Sequence, residues 1–392
     1  NKIIMDFTYS ETQQSIIEAI KLLMKDFDDD YWRTCDKEGT FPHQFYDAIA
    51  KGGWLGIAMP QQYGGSNLGI SEASVLMQTI SESGGGMSAA SSIHMNIFGP
   101  HPIVVHGTEE QRSRWLPPLI QGKEKCCFGV TEPDAGLDTG SITTKAEKTE
   151  GGYIITGQKI WTSTAQIADK IMILVRTTPK EECEKNIDGL TLFYTDFDRS
   201  KIEVIEIDKM GRAAVDSNQI FIDGLEVSED DRIGEENKGF YYLLDSLNPE
   251  RILIAAEALG IGRSALNRAV DYATNRIIFD RPIGKNQSIQ HPLAENWVEL
   301  EAAELLILKA AFQYDNGQNS GGLANAAKYF AAEAAFKAAN QAVMTLGGMG
   351  YAKDFHVERL LRESMIPRLA PVSAQMVLNY ISERILGLPK SY

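Results

Sequence analysis

The hydrophobic pattern of this 392-residue chain changes its period twice, and the two changes restrict the folds open to it. Up to about residue 125, apolar residues recur at helical spacing. From about 126 to 235, short β-branched and apolar runs alternate with breaks that contain Asp and Gly, as in strands joined by turns. Helical spacing then returns and persists. The pattern predicts an α+β protein with a helical domain over 1–125, a small antiparallel β domain over 126–235 and a C-terminal four-helix-type bundle over 236–392.

Individual elements follow from the same periodicity. The predicted strands of the middle region, beyond its first hairpin, are 170–176, 189–194, 202–207 and 219–227. The predicted long helices that follow are 249–276, 293–312 and 323–346. The short breaks between these helices favour an antiparallel bundle.

Composition and charge exclude several classes of partner. The formal net charge of −15 disfavours binding to nucleic acid or an anionic membrane, although local basic residues are still able to bind an anionic substrate. No apolar run approaches the roughly 18 residues of a membrane span. The first residues resemble neither a signal peptide nor a transit peptide, so we expect a cytoplasmic protein, with the mitochondrial matrix after processing as the alternative. Neither the four cysteines nor the six histidines show metal-ligand spacing, so no metal site is expected.

The start of the middle region carries the most informative motif, FGVTEPDAGLDTGS over 128–141. A strand ends at Val130 and Thr131 and is followed by a polar turn that reaches Gly136. Such a turn brings backbone N–H groups and a hydroxyl to one place, which suits a phosphate or the edge of a flavin.

A second motif, GGYIITGQKIWTS, follows at 151–163. Its alternating residues predict a strand that turns at Gly157. An indole at Trp161 beside the hydroxyls of Thr162 and Ser163 suits stacking on a planar ring with hydrogen bonds to its edge. Taken alone, Trp161 also fits an ordinary hairpin with a buried Trp.

Together the two motifs resemble the flavin segment of the acyl-CoA dehydrogenase family, in which TEPxAGSD and W-[IT]-[TS] runs bracket a small β domain. Residues 106–123 resemble the usual lead-in to that segment, and the helical–β–helical layout is that of the family. The resemblance implies an FAD-dependent oxidoreductase that converts an acyl-CoA thioester to the trans-2-enoyl-CoA. It also implies an electron-transferring flavoprotein as acceptor, a homotetramer, and a role in fatty acid or amino acid catabolism.

That reaction requires a base for the α proton, and the family places this base at one of two positions. At the commoner position, RLAPVSAQM over 368–376 has Pro371 where the usual Glu stands. At the other, used by the isovaleryl and long-chain branches, Glu250 precedes Arg251 as it does there. With Asn248 as N-cap, Glu250 is expected in the first turn of a helix, where the dipole favours its ionised form. The alternative is that Glu250 only complements the dipole.

The resemblance also implies residues that contact the substrate. Asn248 and Arg251 match positions that contact CoA or acyl atoms, although Asn248 replaces the usual Asp. Tyr241 resembles a substrate-contacting Tyr of the isovaleryl branch, and a core position is its alternative. Pro371 has no N–H to donate to the thioester oxygen, so either Val372 donates, the backbone is shifted, or polarisation is weaker.

The flavin set implied by the resemblance has members in all parts of the chain after 125. Arg276 begins a run with Phe279 and Gln287 at fixed positions and suits the pyrophosphate. MTLGGMG over 344–350 allows close backbone approach to the adenosine half, and in relatives such contacts come from a neighbouring subunit. Leu137, which also faces the substrate in relatives, replaces a Ser, and Met344 replaces a Gln. The full set is Phe128, Val130, Thr131, Gly136, Leu137, Trp161, Thr162, Ser163, Arg276, Phe279, Gln287, Met344, Gly347, Gly348, Ser373 and Gln375.

These departures keep two alternatives open. One is a same-fold flavoenzyme with other chemistry, such as an acyl-CoA reductase, a desulfinase or an oxidase. The other is a catalytically silent assembly member of the family. The placement of the base on a long helix favours branched or longer acyl chains.

Overall fold

The computed structural model describes residues 7–391. The first six residues and Tyr392, which belong to the predicted domains 1–125 and 236–392, lie outside the described residues. The helices before the sheet are α1 (Glu11–Leu23), α2 (Asp29–Glu38), α3 (His43–Lys51), α4 (Ile70–Ile80), α5 (Gly86–Ile97), α6 (His101–His106) and α7 (Glu109–Ile120).

Side-chain caps fix where several of these helices begin. Ser10 precedes α1, and its hydroxyl accepts from the backbone N–H of Gln13 while Gln13 bonds back. Thr108 and Gln111 form the same reciprocal pair at the start of α7. Each capping box satisfies two N–H groups that have no partner within the helix. α7 therefore begins directly after Thr108.

The middle of the chain forms one sheet. Its strands are β1 (Cys126–Gly129), β2 (Lys145–Thr149), β3 (Gly152–Ser163), β4 (Lys170–Arg176), β5 (Leu190–Asp196), β6 (Ile202–Glu206), β7 (Ser217–Ser228) and β8 (Arg232–Ile233). Their order is β6-β7-β3-β2-β4-β5-β8, and β1 also pairs with β4. Every residue of β4 is buried, as expected of an apolar run in the centre of a sheet.

Two details of the predicted β region are wrong. The sheet is mostly antiparallel, but β1 and β2 each pair with β4 in parallel. The strand does not turn at Gly157: β3 continues through a bulge between Ile155 and Gly157 to Ser163. Glycine is required there for space, because a Cβ would lie 2.6 Å from the Cα of Thr144.

The C-terminal part is helical. It comprises α8 (Gly239–Asn275), the hairpin β9 (Ile277–Ile278) and β10 (Arg281–Pro282), then α9 (Gln287–Asp315), α10 (Gly321–Leu346), α11 (Gly348–Tyr351), α12 (Val357–Ser364), α13 (Ile366–Leu369) and α14 (Ala374–Tyr380). Among residues 7–391, no helix has the length and apolar character that crossing a bilayer requires.

One hydrophobic core joins the two helical parts. Buried residues of α1, α4 and α5 pack in it with residues of α8, α9 and α10. The buried face of α10 is largely alanine, which permits close approach to its neighbours. The sheet has a core of its own built from β3, β4, β5 and β7. The predicted α+β architecture, with helices on either side of a small sheet domain in sequence, is confirmed.

Candidate active site

The two motifs of the flavin segment lie side by side. The backbone N–H of Ile160 on β3 donates to the carbonyl of Thr131 at 2.9 Å. The ammonium of Lys159 donates to the carbonyl of Val130 at 3.1 Å. The end of β1 and the end of β3 are therefore fixed to each other at the residues that sequence reasoning singled out.

A buried ion pair, which sequence reasoning missed, holds this junction. Lys159 is fully buried, and its Nζ lies 2.8 Å from Oε1 of Glu132, which is 4% exposed. Glu132 also accepts from the backbone N–H groups of Thr143 and Thr144 and from the Thr143 hydroxyl. Burial alone would raise the pKa of Glu132, but the charge of Lys159 and these hydrogen bonds lower it to about 2. The sequence feature that could have indicated this ion pair is Lys159 itself, a Lys among the buried and half-buried residues of β3.

The three residues that end β3 differ sharply in their surroundings. Trp161 has φ 61° at a bulge between β3 and β7, and its side chain is 57% exposed. The buried Thr162 hydroxyl has no hydrogen-bond partner among the described residues. The Ser163 hydroxyl accepts from Nη2 of Arg212 at 3.1 Å. The alternative of a buried Trp is wrong, and an exposed indole beside an unpartnered hydroxyl fits the face and edge of a flavin ring.

Glu250 does not lie in the first turn of a helix. α8 begins at Gly239, where a Cβ would be 2.4 Å from the backbone nitrogen of Leu192 on β5, and its N-cap is Lys238. Pro249 lies inside the helix. Asn248 is therefore not the N-cap, and Glu250 is about 16 Å along the axis from the helix start, beyond the range of the dipole.

The environment of Glu250 raises its pKa, whereas a helix dipole would have favoured the ionised form. The side chain is half-buried in the protein interior. Desolvation raises its pKa, which the charges of His94, Arg251 and Lys328 lower only in part, while Glu257 raises it further. A carboxylate with a raised pKa is a stronger base once it is ionised, so the arrangement suits proton abstraction from a weak carbon acid.

Lys328, which sequence reasoning also missed, connects the two positions considered for the base. It is buried on α10, and its ammonium donates to the backbone carbonyl of Val372. Burial and the charge of Arg251 lower its pKa to about 8 against the opposing effects of Glu250 and Glu333. The loop that contains Pro371 is thus fixed next to the part of α8 that carries Glu250. The available signal was a Lys within the Ala-rich sequence of α10.

The other predicted substrate residues are more dispersed. Nη1 of Arg251 donates to Oδ1 of Asn248 at 3.3 Å, so these two side chains lie together. Tyr241 is half-buried rather than part of the core, and its hydroxyl donates to Asp188 at 2.9 Å. Tyr241 therefore contacts the loop before β5.

The remaining predicted flavin residues fall into two groups. The first group lies in two places. Near the first motif, Phe128 is half-buried and Gly136 and Leu137 are exposed. At the start of α14, the N-cap Ser373 accepts from the N–H of Met376, and Gln375 in the first turn is exposed. The second group is exposed on the C-terminal helices and hairpin: Arg276, Phe279, Gln287, Met344, Gly347 and Gly348. No hydrogen bond within 7–391 joins this second group to the flavin segment.

Comparison with known proteins shows the family. Three family models match the chain: the N-terminal domain of acyl-CoA dehydrogenase over 10–123, its middle domain over 127–225 and its C-terminal domain over 237–386. Acyl-CoA dehydrogenase FadE12 of Mycobacterium tuberculosis is 34% identical over 391 residues, which cover 98% of this chain and 99% of the relative. The caffeyl-CoA reductase-Etf complex subunit CarC of Acetobacterium woodii is 31% identical over 90% of this chain and 92% of its own length.

Solved structures confirm the fold. Butyryl-CoA dehydrogenase from Megasphaera elsdenii superposes with a TM-score of 0.92 and 27% identity, over 97% of this chain and 100% of that chain. The family resemblance, the enzyme class and the cofactor expected from the sequence are thereby confirmed. This chain belongs to the acyl-CoA dehydrogenase family and is an FAD-dependent oxidoreductase.

Proposed function

We propose that this protein oxidises an acyl-CoA thioester to the trans-2-enoyl-CoA, with Glu250 as the base that removes the α proton. The observation that carries the proposal is the position of Glu250 beside the loop at Pro371, where the fold's other acid is missing. The stretch 368–376 contains no carboxylate of its own. We therefore assign to Glu250 the α proton of a thioester held against that loop.

The residues of this chain have separate roles in the proposed reaction. FAD, held at Trp161, Thr162 and Ser163, supplies the hydride acceptor when it is bound. The carboxylate of Glu250 takes the α proton and becomes neutral, which removes a charge from a poorly solvated place. Water exclusion there strengthens the base, because its ionised form is less well solvated than in water.

The thioester oxygen gains negative charge in this step and needs hydrogen-bond donors. Pro371 has no N–H, so we assign one donor to the N–H of Val372. Lys328 holds the carbonyl of Val372 and so fixes the orientation of that loop. Arg251 and Asn248, which bond to each other, are assigned to the CoA or acyl part of the substrate.

We assign the reoxidation of the enzyme to an electron-transferring flavoprotein, a proposal supported by the Etf complex named for the relative from A. woodii. A homotetramer is proposed because large apolar side chains are exposed on the C-terminal part, with Phe279 93% exposed. The exposed second group of flavin residues would then complete a neighbouring subunit's site. Location in the cytoplasm and a place in fatty acid or amino acid catabolism are proposals too.

The test uses the purified, FAD-loaded enzyme under anaerobic conditions. CoA thioesters of graded acyl length and branching are mixed with it, and loss of flavin absorbance and the mass of the product are measured. At least one thioester should bleach the flavin and lose two hydrogens. Oxidised flavin that persists with every thioester would contradict the proposal.

A second candidate is reduction of an enoyl-CoA, and one observation favours it. Desolvation raises the pKa of Glu250 and so favours the neutral carboxyl, the form that would donate a proton to the α carbon of an enoyl thioester. The relative CarC belongs to a reductase complex. Reoxidation of chemically reduced enzyme by enoyl-CoA, without bleaching by acyl-CoA, would support it.

A further inference from the structure

A second pair of titratable residues lies buried beside the proposed base. Nδ1 of His94 on α5 is 2.7 Å from Oε1 of Glu257 on α8. His94 is 4% exposed and Glu257 is fully buried. The proposed oxidation uses neither residue, and a buried ionisable pair is not in general a source of stability.

Each member of this pair has a second polar atom that is buried and has no partner among the described residues. These atoms are Nε2 of His94 and Oε2 of Glu257. Unsatisfied buried polar atoms are rare in native proteins, and each calls for an explanation such as a catalytic or binding role. Two of them in one hydrogen-bonded pair point to a polar ligand.

The pair lies close to the substrate side of the site. Glu257 follows Glu250 by seven residues, two turns of α8, so both carboxylates project from the same face about 10 Å apart along the axis. Burial alone would lower the pKa of His94, but Glu257 and the nearby Glu250 raise it. The imidazole is therefore close enough to Glu250 for the charge of that carboxylate to affect the pKa of His94.

Arg212 places the same pair next to the flavin segment. Its Nη1 donates to the hydroxyl of Ser91, one turn before His94 on α5, at 3.3 Å. Its Nη2 donates to the hydroxyl of Ser163, at the end of β3. The charge of Arg212 also acts on the pKa of His94. The pair thus borders both the base and the end of the flavin segment, which between them would enclose an acyl chain.

We propose that His94 and Glu257 form a subsite for a hydroxyl group carried on the acyl chain beyond the reacting carbons. The inference rests on the proposed function and names its substrate class, hydroxylated acyl-CoA thioesters. A hydroxyl both accepts and donates, so it matches an imidazole N–H at Nε2 and the carboxylate oxygen Oε2. A carboxylate substituent fits less well, because Glu250 and Glu257 would repel it.

The size of the effect follows from the type of hydrogen bond. A bond to a charged group discriminates by about 10- to 150-fold between a ligand that makes it and one that does not. We expect this preference for a hydroxylated thioester over the analogue with hydrogen at the same carbon, and only for one or two positions along the chain.

The experiment measures Kd by calorimetry and kcat/KM by flavin bleaching, on FAD-loaded enzyme, with matched thioester pairs in which the hydroxyl moves along the chain. The variants are His94→Phe and Glu257→Gln. The matched control is His106→Leu, which breaks the more exposed His106–Asp245 pair (2.8 Å) between α6 and α8. Flavin content and circular dichroism report whether each variant is folded.

The wild type and His106→Leu should bind one hydroxylated thioester more tightly than its plain analogue. In His94→Phe and Glu257→Gln, the ratio of the two Kd values should be close to one, while the plain thioester binds as before. A wild-type ratio near one at every position overturns the proposal. The proposal is also overturned if either variant lowers kcat/KM equally for the hydroxylated and the plain thioester and displaces the pH profile, because His94 and Glu257 would then act only on the base. If no thioester is oxidised, the proposed function fails while the Kd ratios still decide the subsite.

Discussion

Replacing Lys159 by Met tests how the flavin segment is held together. The substitution keeps the apolar stem and removes a fully buried ammonium from Glu132 and from the carbonyl of Val130. Removing one partner of a buried ion pair typically costs about 3–5 kcal/mol, since the other charge stays buried. Glu132 keeps three donors from Thr143 and Thr144, so we expect the lower half of that range.

The expected change in melting temperature follows from the size of the chain. Unfolding entropy of about 2.1 cal/mol/K per residue gives roughly 0.8 kcal/mol/K for a chain of this length unfolding as one unit, so the melting temperature should fall by about 4–5 °C. Differential scanning calorimetry measures it. Flavin release on dilution should also be faster, because the carbonyl of Val130 loses the ammonium that fixes it.

Lys145→Met is the matched control in the same sheet. Lys145 and Glu147 form an exposed pair, with 57% and 64% of their side chains exposed, and such pairs contribute about 0–1 kcal/mol. A decrease in melting temperature for Lys159→Met no larger than for this control would refute the reasoning. The pH dependence is a second check: because the pKa of Glu132 is about 2 against its usual 4.5, its stabilisation is present above pH 4.5 and lost as pH falls toward 2. Lys159→Met should weaken that acid dependence.

Three further predictions concern the site itself. Lys328→Met should lower kcat, measured by steady-state kinetics, by up to about 10²–10³-fold, which is the effect of losing one oxyanion donor. Lys328→Arg should retain more activity. Lys337→Met, which changes an exposed Lys on the same helix, should retain full activity. Glu250→Gln should melt at a higher temperature than the wild type at neutral pH. A carboxyl whose pKa is raised on folding stabilises below its ordinary pKa and loses that contribution as pH rises, so an equal or lower melting temperature would contradict the raised pKa. Trp161→Ala should weaken FAD binding, measured by fluorescence titration, without changing the melting temperature of the apoprotein, because the indole is 57% exposed.

Features that depend on neighbours in sequence were predictable. The apolar run KIMILVR is β4 residue for residue, because seven consecutive buried positions leave few alternatives to a central strand. The start of α7 follows from Thr108 and Gln111, whose side chains satisfy each other's backbone across three residues. In both cases the information needed lies within a few residues.

The start of α8 was not predictable from its caps. Asn248 and Pro249 are typical of a helix start, yet the helix begins at Gly239. The turns before Asn248 are helical because Leu243 and Ser246 are buried against the rest of the protein. Tertiary packing of that kind overrides a local cap signal. The error reversed the expected pKa direction of Glu250, since desolvation rather than the helix dipole determines it.

The partners of the buried lysines could not be identified from the sequence pattern. Lys159 pairs with Glu132, 27 residues away, and Lys328 bonds to Val372, 44 residues away. A buried charge is tolerated only with a partner, and the partner here is set by the pairing of distant segments. His94 and Glu257 are a more extreme case, with 163 residues between them.

The most direct test of the central claim is the rate of flavin reduction in a single turnover of Glu250→Gln. A thioester that bleaches the wild type, with and without deuterium at its α carbon, is mixed anaerobically with each enzyme in a stopped-flow instrument. Because Gln keeps the shape but cannot take a proton, reduction should slow by about 10²–10⁴-fold or more with FAD content and thioester Kd unchanged. Reduction within tenfold of the wild-type rate, with the same isotope effect, would show that another group removes the α proton.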